Sequence, residues 1–382
     1  MKKLGLYLHI PFCKSKCLYC DFYSFPLPTE EIMRRYTDAL CRDLAAWANR
    51  CRDYTVDTVY FGGGTPTILP PAYLEQLLSA IFRLYHVDTS AEITAECNPA
   101  TGGRDAFLRM RRAGFNRISI GLQSIHPHEL KSLGRLHTFA DFCRTWEDAC
   151  TAGFDNLNVD VMSGIPHQTP ESWLETLKLV CSLSPAHVSA YGLIVEDGTP
   201  FANREATLPL PDEDATERMY FDGIRYLKEQ GLQQYEISNF AKSGYESRHN
   251  LKYWNCDEYI GFGPAAYSDF SGMRFGNSCD LGAYIEGSDI CKEREKPSER
   301  ERENEYVMLR MRLFDGVNAA DFEMRFGHSF ADSFGGALAR YIAGGFVQKT
   351  PNGYAFTPRG MYVSNAILSD ILDFSAKSEK NY

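Results

Sequence analysis

Hydrophobic positions along this chain fall into two alternating rhythms. Short runs rich in β-branched and aromatic residues, LGLYLHI (4–10), DTVYF (57–61), EITAE (92–96), RISIG (117–121), LNVDVM (157–162) and HVSAYGLI (187–194), predict buried parallel strands. Between them lie longer stretches with apolar residues at helical spacing, among them YTDALCRDLAAWANR, AYLEQLLSAIFRLY, RDAFLRMRRAG and ESWLETLKLVCSL. A glycine closes several of them where a helix is expected to stop. Six strand–helix units in tandem predict an α/β fold, a partial TIM-type (β/α)6 barrel, with its chemistry at the carboxyl ends of the strands.

The rhythm changes after about residue 210. The expected organisation is a barrel over 1–235, an irregular Gly- and aromatic-rich connection over 236–290, and a C-terminal domain over 291–382. In that last part, the charged run KEREKPSERERENEY predicts an exposed helix after a linker. Helical segments and a hairpin about Pro351, Asn352 and Gly353 follow, a mostly helical, winged-helix-like module.

Composition narrows the class. A net charge of -10 argues against a general nucleic-acid binder. The start MKKLGLYLHIPF has too short an apolar run for a secretory leader and reads as a first strand, and no run is long enough to span a bilayer. Of 12 cysteines, all but Cys13, Cys17 and Cys20 are scattered singly, as expected of free thiols in a reducing cytoplasm.

The clustered three, in HIPFCKSKCLYC just past the first strand, form C-x3-C-x2-C. Three thiolates from one loop can bind three irons of a [4Fe-4S] cubane and leave the fourth iron open. A zinc site completed by His9 or Asp21 is the alternative. At the end of the second strand, GGGTPT (62–67) would let backbone approach a ligand closely and offer it amide and carbonyl groups; a tight turn is the plainer reading.

Together HIPFCKSKCLYC, GGGTPT, AECNP (95–99), RISIGLQS (117–124), LGRLH (133–137) and NVDVMSGIPHQT (158–169) resemble, in order and spacing, the coproporphyrinogen oxidase-like branch of the radical S-adenosylmethionine (SAM) superfamily. The C-terminal module is similar to that branch's C-terminal domain. The resemblance implies a [4Fe-4S] cluster on Cys13, Cys17 and Cys20 whose open iron is chelated by SAM. It further implies SAM contacts from Tyr7, Tyr19, Gly63, Gly64, Thr65 and Glu96, and a second cofactor or substrate pocket lined by Gln123, Arg135 and Asp160.

Two features separate this chain from the oxidase itself. The oxidase has a substantial segment before its first strand, and a fourth cysteine two residues after the third, where this chain has Phe22. In addition, SRHNLKYWN (247–255) contains H-N-x-x-Y-W, which resembles the heme-binding motif of heme chaperones in the same branch. That implies heme as a third ligand, held by His249, Asn250, Tyr253 and Trp254, with apo-hemoproteins as acceptors. Histidine suits heme iron and aromatic rings suit a porphyrin face, whereas a histidine packed among aromatics is the plainer reading of the motif alone. Cys256 reads as a buried thiol.

The expected function is that of a cytoplasmic heme chaperone on a radical SAM scaffold, without a membrane span but compatible with peripheral association. Its oligomeric state stays open, a dimer included. The rivals are an oxygen-independent coproporphyrinogen III oxidase and a radical SAM enzyme acting on another substrate.

Overall fold

The computed structural model describes residues 1–26 and 28–372. The last stretch of the expected C-terminal domain, 373–382, lies outside the described residues. Seven parallel strands form the centre: β1 (Lys2–Ile10), β2 (Tyr54–Gly63), β3 (Val87–Cys97), β4 (Arg117–Gln123), β5 (Asn156–Ser163), β6 (His187–Gly192) and β7 (Tyr259–Phe262). Their spatial order is β7-β1-β2-β3-β4-β5-β6, an open sheet extended at both edges by short antiparallel strands. The expected α/β architecture is present, with a seventh parallel strand beyond the expected six.

Helices α1 (Glu30–Ala48), α2 (Pro71–Leu84), α3 (Arg104–Ala113), α4 (Phe139–Thr151) and α5 (Pro170–Ser182) make the crossovers. Their starts are locally encoded. Thr29 caps α1, and Thr138 and Thr169 form reciprocal capping boxes with Asp141 and Ser172. The strands read as near-continuous apolar runs because both faces are covered: in β1, Leu4, Leu6, Leu8 and Ile10 on one face are fully buried, and Gly5 and His9 on the other are buried too. Truncating one of them, Leu8→Ala, would cost about 2–5 kcal/mol.

The stretch 236–290 is not the irregular connection expected. It supplies Asn239–Ala241 antiparallel to β6, then helix α7 (Arg248–Trp254, after α6 at Glu213–Glu229), then β7 beside β1, and the strands Tyr267–Phe270 and Met273–Asn277 that widen the sheet. The strands among these elements are only three to five residues long and the helix seven, so no period shows in the sequence. They exist because the sheet edge offers unpaired backbone groups to satisfy.

The charged run that follows also differs from expectation. Cys291–Glu295 is an edge strand, and Ser298 opens, through a capping box with Glu301, a helix whose Glu303, Asn304, Tyr306 and Val307 are buried. From there the chain builds a second hydrophobic cluster, centred on Tyr306, Phe322, Phe330, Phe334, Leu338 and Phe356. A hairpin of Val347–Thr350 with Gly353–Phe356 turns where expected, and Val317–Asn318 completes a small antiparallel sheet among helices, as in a winged helix. Among the described residues no helix is long and apolar enough to cross a membrane.

Candidate functional site: a cysteine-walled cavity and a plugged sheet floor

At the carboxyl ends of the strands lies a cavity of about 340 Å³. Cys13, Cys17 and Cys20 form one wall; Tyr60, Glu96, Ser119, Gly121, Gln123, Asp160 and Tyr191, from β2 through β6, form the opposite side. A ligand held here meets thiols from one loop and polar groups from five strands. All three predicted cysteines, and Tyr19, Gly63, Gly64, Glu96, Gln123, Arg135 and Asp160, line this space. Tyr7 and Thr65 do not.

The loop carrying the cysteines is fixed from several directions. Leu18 N–H donates to the Leu133 carbonyl (3.0 Å), Phe201 N–H donates to the Leu18 carbonyl (3.1 Å), and Cys20 N–H donates to the Cys17 carbonyl (3.3 Å). Gly134 has φ +73°, and a Cβ there would come within 2.9 Å of Leu18, so the LGRLH turn closes on this loop only with glycine. A polar chain runs across the cavity rim: Thr65 Oγ1 donates to Cys13 Sγ (3.7 Å), Asn98 Nδ2 to Thr65 Oγ1 (2.7 Å), Arg135 to Asn98 Oδ1 (2.7 Å) and to Tyr19 OH (2.8 Å). Thr65 thus acts on Cys13 without reaching the cavity.

The zinc alternative loses its fourth ligand. Both His9 ring nitrogens are engaged, Nδ1 with Tyr7 OH (3.1 Å) and Nε2 with the Tyr23 carbonyl (2.8 Å), and Asp21 is exposed. Among the described residues no three His, Cys, Asp or Glu side chains converge on a single-ion site.

GGGTPT follows its plainer reading, a tight turn, and does not offer its amides to a ligand. The amides of Gly63, Gly64 and Thr65 donate to Glu96 Oε2 (3.1 Å), the Ile10 carbonyl (2.9 Å) and the Phe12 carbonyl (2.7 Å), so none of the three is left for a ligand. The glycines are required because this turn packs on β1: a Cβ on Gly63 would strike the His9 ring at 2.5 Å, and one on Gly64 the Phe12 carbonyl at 2.6 Å. What remains on this side is acceptor-rich, suited to a cationic amino group.

Glu96 and Gln123 carry the polarity of the strand side. Burial pushes the Glu96 carboxyl up to about 7, Asp160 adds to the rise, and hydrogen bonds from Tyr60 and Gly63 oppose it. Asp160 accepts from Asn158 Nδ2 (2.7 Å) and Ser119 Oγ (3.2 Å). At Gln123 the register of β4 against β5 slips and the backbone takes φ +69°, a bulge that aims the side chain into the cavity. Its Oε1 is buried without a hydrogen-bond partner, as is Arg135 Nε. A Cβ on Gly121 would lie 3.1 Å from Asn98 Oδ1 and 3.2 Å from Gln123 Nε2, so this space is kept open by a glycine. Buried polar atoms without partners are costly unless a ligand meets them. Three thiols, unpartnered polar atoms and a glycine-kept space together fit a cluster with a polar small molecule beside it.

The HNxxYW segment lies elsewhere. It forms α7, whose first amides, at Arg248 and His249, donate to the Glu92 carboxylate (3.1 and 3.0 Å), an acidic group at a helix amino terminus. Lys252 pairs with Asp57 at 2.7 Å, both largely buried. The partners Gly5, Thr58 and Glu92 lie in β1, β2 and β3, before the residues that line the cavity, so α7 plugs the same face of the sheet toward the amino ends of the strands, away from the cysteines.

His249 is 1% exposed. Its Nδ1 bonds Thr58 Oγ1 (2.8 Å) and its Nε2 bonds Tyr253 OH (2.8 Å), and burial followed by the charges of Lys252 and Arg117 lowers its pKa to about 3. The ring presents no free nitrogen, so the expectation of His249 as an iron ligand gives way to the packed reading. Asn250, Tyr253 and Trp254 are half-buried. Cys256 packs against the C-terminal cluster, where burial lifts its thiol to about 12.

Several functional positions escaped the sequence reading. Asn98 sat inside a quoted motif, but its role depends on Arg135 lying 37 residues away in sequence. Tyr60 looked like core; only its alternation with Thr58 on one face of β2 hinted that both serve one side of the sheet. Arg117 and Glu92, both buried, read as ordinary strand residues.

Comparison with known proteins identifies the family and the fold. A radical SAM superfamily profile matches residues 7–180, and a HemN C-terminal domain profile matches 298–363. The chain is 34% identical over 375 residues to the heme chaperone HemW of Escherichia coli, covering 96% of this chain and 97% of that protein. The Bacillus subtilis heme chaperone HemW is 31% identical, with 96% and 98% covered. Among solved structures, coproporphyrinogen III oxidase (HemN) from Escherichia coli superimposes with a TM-score of 0.85 over 98% of this chain and 91% of that one, at 23% identity, which shows a shared fold. Similarity of this extent to HemW proteins, running through both the sheet and the C-terminal module, means that the chain belongs to the HemW family of the radical SAM superfamily.

Proposed function

We propose that this protein is a heme chaperone that holds a [4Fe-4S] cluster on Cys13, Cys17 and Cys20, binds SAM in the adjoining cavity, and passes heme to apo-hemoproteins. The observation that carries the cofactor part is the shared cavity, with three thiols on one wall and the unpartnered Gln123 Oε1 facing the same space. When bound, such a cluster supplies an open iron and one-electron chemistry. Around it, the chain's own residues orient a small molecule: the GGGTPT turn faces it with acceptors, Glu96 and Asp160 meet cationic groups, and Arg135 with Tyr19 closes the rim.

Heme transfer rests on membership of the HemW family. Within HNxxYW, the residues still open to a porphyrin are the half-buried Asn250, Tyr253 and Trp254, with the Tyr253 hydroxyl already spent on His249. The proposed compartment is the cytoplasm, in keeping with twelve cysteines that are all unpaired. A domain division near residues 235 and 290 is proposed with one amendment: the middle stretch belongs structurally to the sheet.

Coproporphyrinogen oxidation is the second reading, favoured by Gln123, Arg135 and Asp160 lining the cavity. An anaerobic heme titration of the reconstituted protein, followed at the Soret band beside a porphyrinogen decarboxylation assay, separates the two. Saturable stoichiometric heme binding without decarboxylation is the expected result. Decarboxylation without heme binding would replace the chaperone by the oxidase.

A further inference from the structure

The HNxxYW helix and the cysteine cavity lie toward opposite ends of one face of the strand layer, and one contiguous set of contacts connects them. The His249 ring is held at both nitrogens, by Thr58 and Tyr253, and its face lies against Tyr60 with centroids 5.1 Å apart and planes inclined by 24°. On its far side Tyr60 donates from its hydroxyl to Glu96 Oε1 at 2.8 Å, and the other Glu96 oxygen accepts the Gly63 amide at 3.1 Å. A Cβ on Gly62 would come within 2.8 Å of Tyr60 and 3.1 Å of Glu96, so ring, carboxylate and glycine turn are packed without slack. Burial, then the charge of Glu96, keeps the Tyr60 hydroxyl protonated and therefore a donor.

We infer that His249 is a positioning residue for the SAM end of the cavity: it forms the platform that holds Tyr60, which in turn orients Glu96 and the Gly63 turn. This rests on the reading of the cavity as a SAM site and gives HNxxYW a task that needs no accessible nitrogen. A histidine fits this place for a physical reason. It has two ring nitrogens to lock its own orientation against Thr58 and Tyr253 and a flat face to present to Tyr60; phenylalanine keeps only the face, and alanine keeps neither.

The test measures SAM affinity by equilibrium dialysis on the full, anaerobically reconstituted chain, with iron content and the heme Soret titration recorded on the same samples. His249→Ala is expected to retain iron and heme stoichiometry while weakening SAM binding roughly tenfold, the scale seen when a supporting hydrogen-bond partner is removed from a site. His249→Phe should recover most of that loss. Tyr60→Phe should weaken SAM to a similar degree, and the His249→Ala/Tyr60→Phe pair should be no worse than the poorer single variant, since both act through Glu96.

Wild-type SAM affinity in His249→Ala, or fully additive losses in the pair, would overturn the inference, and so would lost heme binding with SAM affinity intact. Should His249→Ala fail to take up iron, His249→Phe decides alone: near-wild-type SAM affinity supports the platform, and a tenfold loss at full iron content overturns it. A wild type that binds no SAM would instead sink the reading of the cavity, a separate outcome.

Discussion

The two ends of this face of the strand layer differ in how their polar groups are spent. On the cysteine side, Gln123 Oε1 and Arg135 Nε are buried without partners, Glu96 is held well above the usual carboxylate range, and a glycine keeps space open. Around α7, both nitrogens of His249 are bonded, the Glu92 carboxylate meets two helix amides, and Lys252 meets Asp57. The first arrangement is costly without a ligand, whereas in the second the His249 ring is complete without one, although Arg117 Nε nearby is buried without a hydrogen-bond partner. A motif's chemistry is therefore judged by what its atoms still lack once folded. The residue types alone, three cysteines in one place and a histidine among aromatics in the other, suggest ligands equally.

The comparison makes predictions, from large effects to small. Cys17→Ala should abolish the cluster: reconstituted wild type should carry about four irons and four sulfides per chain, and the variant close to none, by iron and acid-labile sulfide assay. An undiminished cluster in the variant would break the assignment of the cysteine wall. His249→Ala should lower unfolding stability in urea by about 2–4 kcal/mol, since it opens a cavity and strands the Thr58 and Tyr253 hydroxyls. Unchanged stability would mean that α7 is not the satisfied plug described here.

Acidity should separate the two ends by sign. His249 keeps a pKa of about 3 in the native state against 6.5 for an ordinary histidine, so its contribution is fully present above pH 6.5 and is lost as pH falls toward 3, when the unfolded chain takes the proton first. That loss has a slope of at most about 1.4 kcal/mol per pH unit, and His249→Gln should flatten it in acid denaturation. Glu96 works the other way. Its native pKa of about 7 exceeds the ordinary 4.5, so it favours the folded state below pH 4.5 and its contribution falls as pH rises to 7. Glu236, buried and also raised to about 7, acts in the same direction, so Glu96→Gln should remove only part of the slope. Identical pH profiles for the two variants would erase the distinction.

Arg135→Lys should leave iron content unchanged and weaken SAM binding by roughly tenfold, because the guanidinium spans Asn98 and Tyr19 with two separate nitrogens in a rigid fork that a single ammonium does not reproduce. The smallest effect is expected at Phe22, 59% exposed at the cavity mouth. Phe22→Cys should change stability by less than about 0.5 kcal/mol and leave cluster content as it was. A gain of porphyrinogen decarboxylation there would show that a fourth cysteine is all that separates this chain from the oxidase.

By itself the sequence determined the local matters. Apolar runs with turn residues between them set six of the seven parallel strands and their crossover helices, and the capping threonines Thr29, Thr138 and Thr169 stand where the helices begin. The cysteine spacing marked the cavity wall, because thiols within one loop cannot lie far apart. Tertiary structure alone decided what pairs with what across long separations. Strand β7 and its neighbours form only because the sheet edge has open hydrogen bonds for them, and GGGTPT spends its amides on Glu96, on Ile10 of β1 and on Phe12 just past it because those partners arrive from 33 residues onward and from the start of the chain. His249 meets Thr58 from 191 residues away. No spacing within HNxxYW could show that both its nitrogens would be taken, since satisfaction of a polar atom is a property of the folded neighbourhood and not of the segment that carries it.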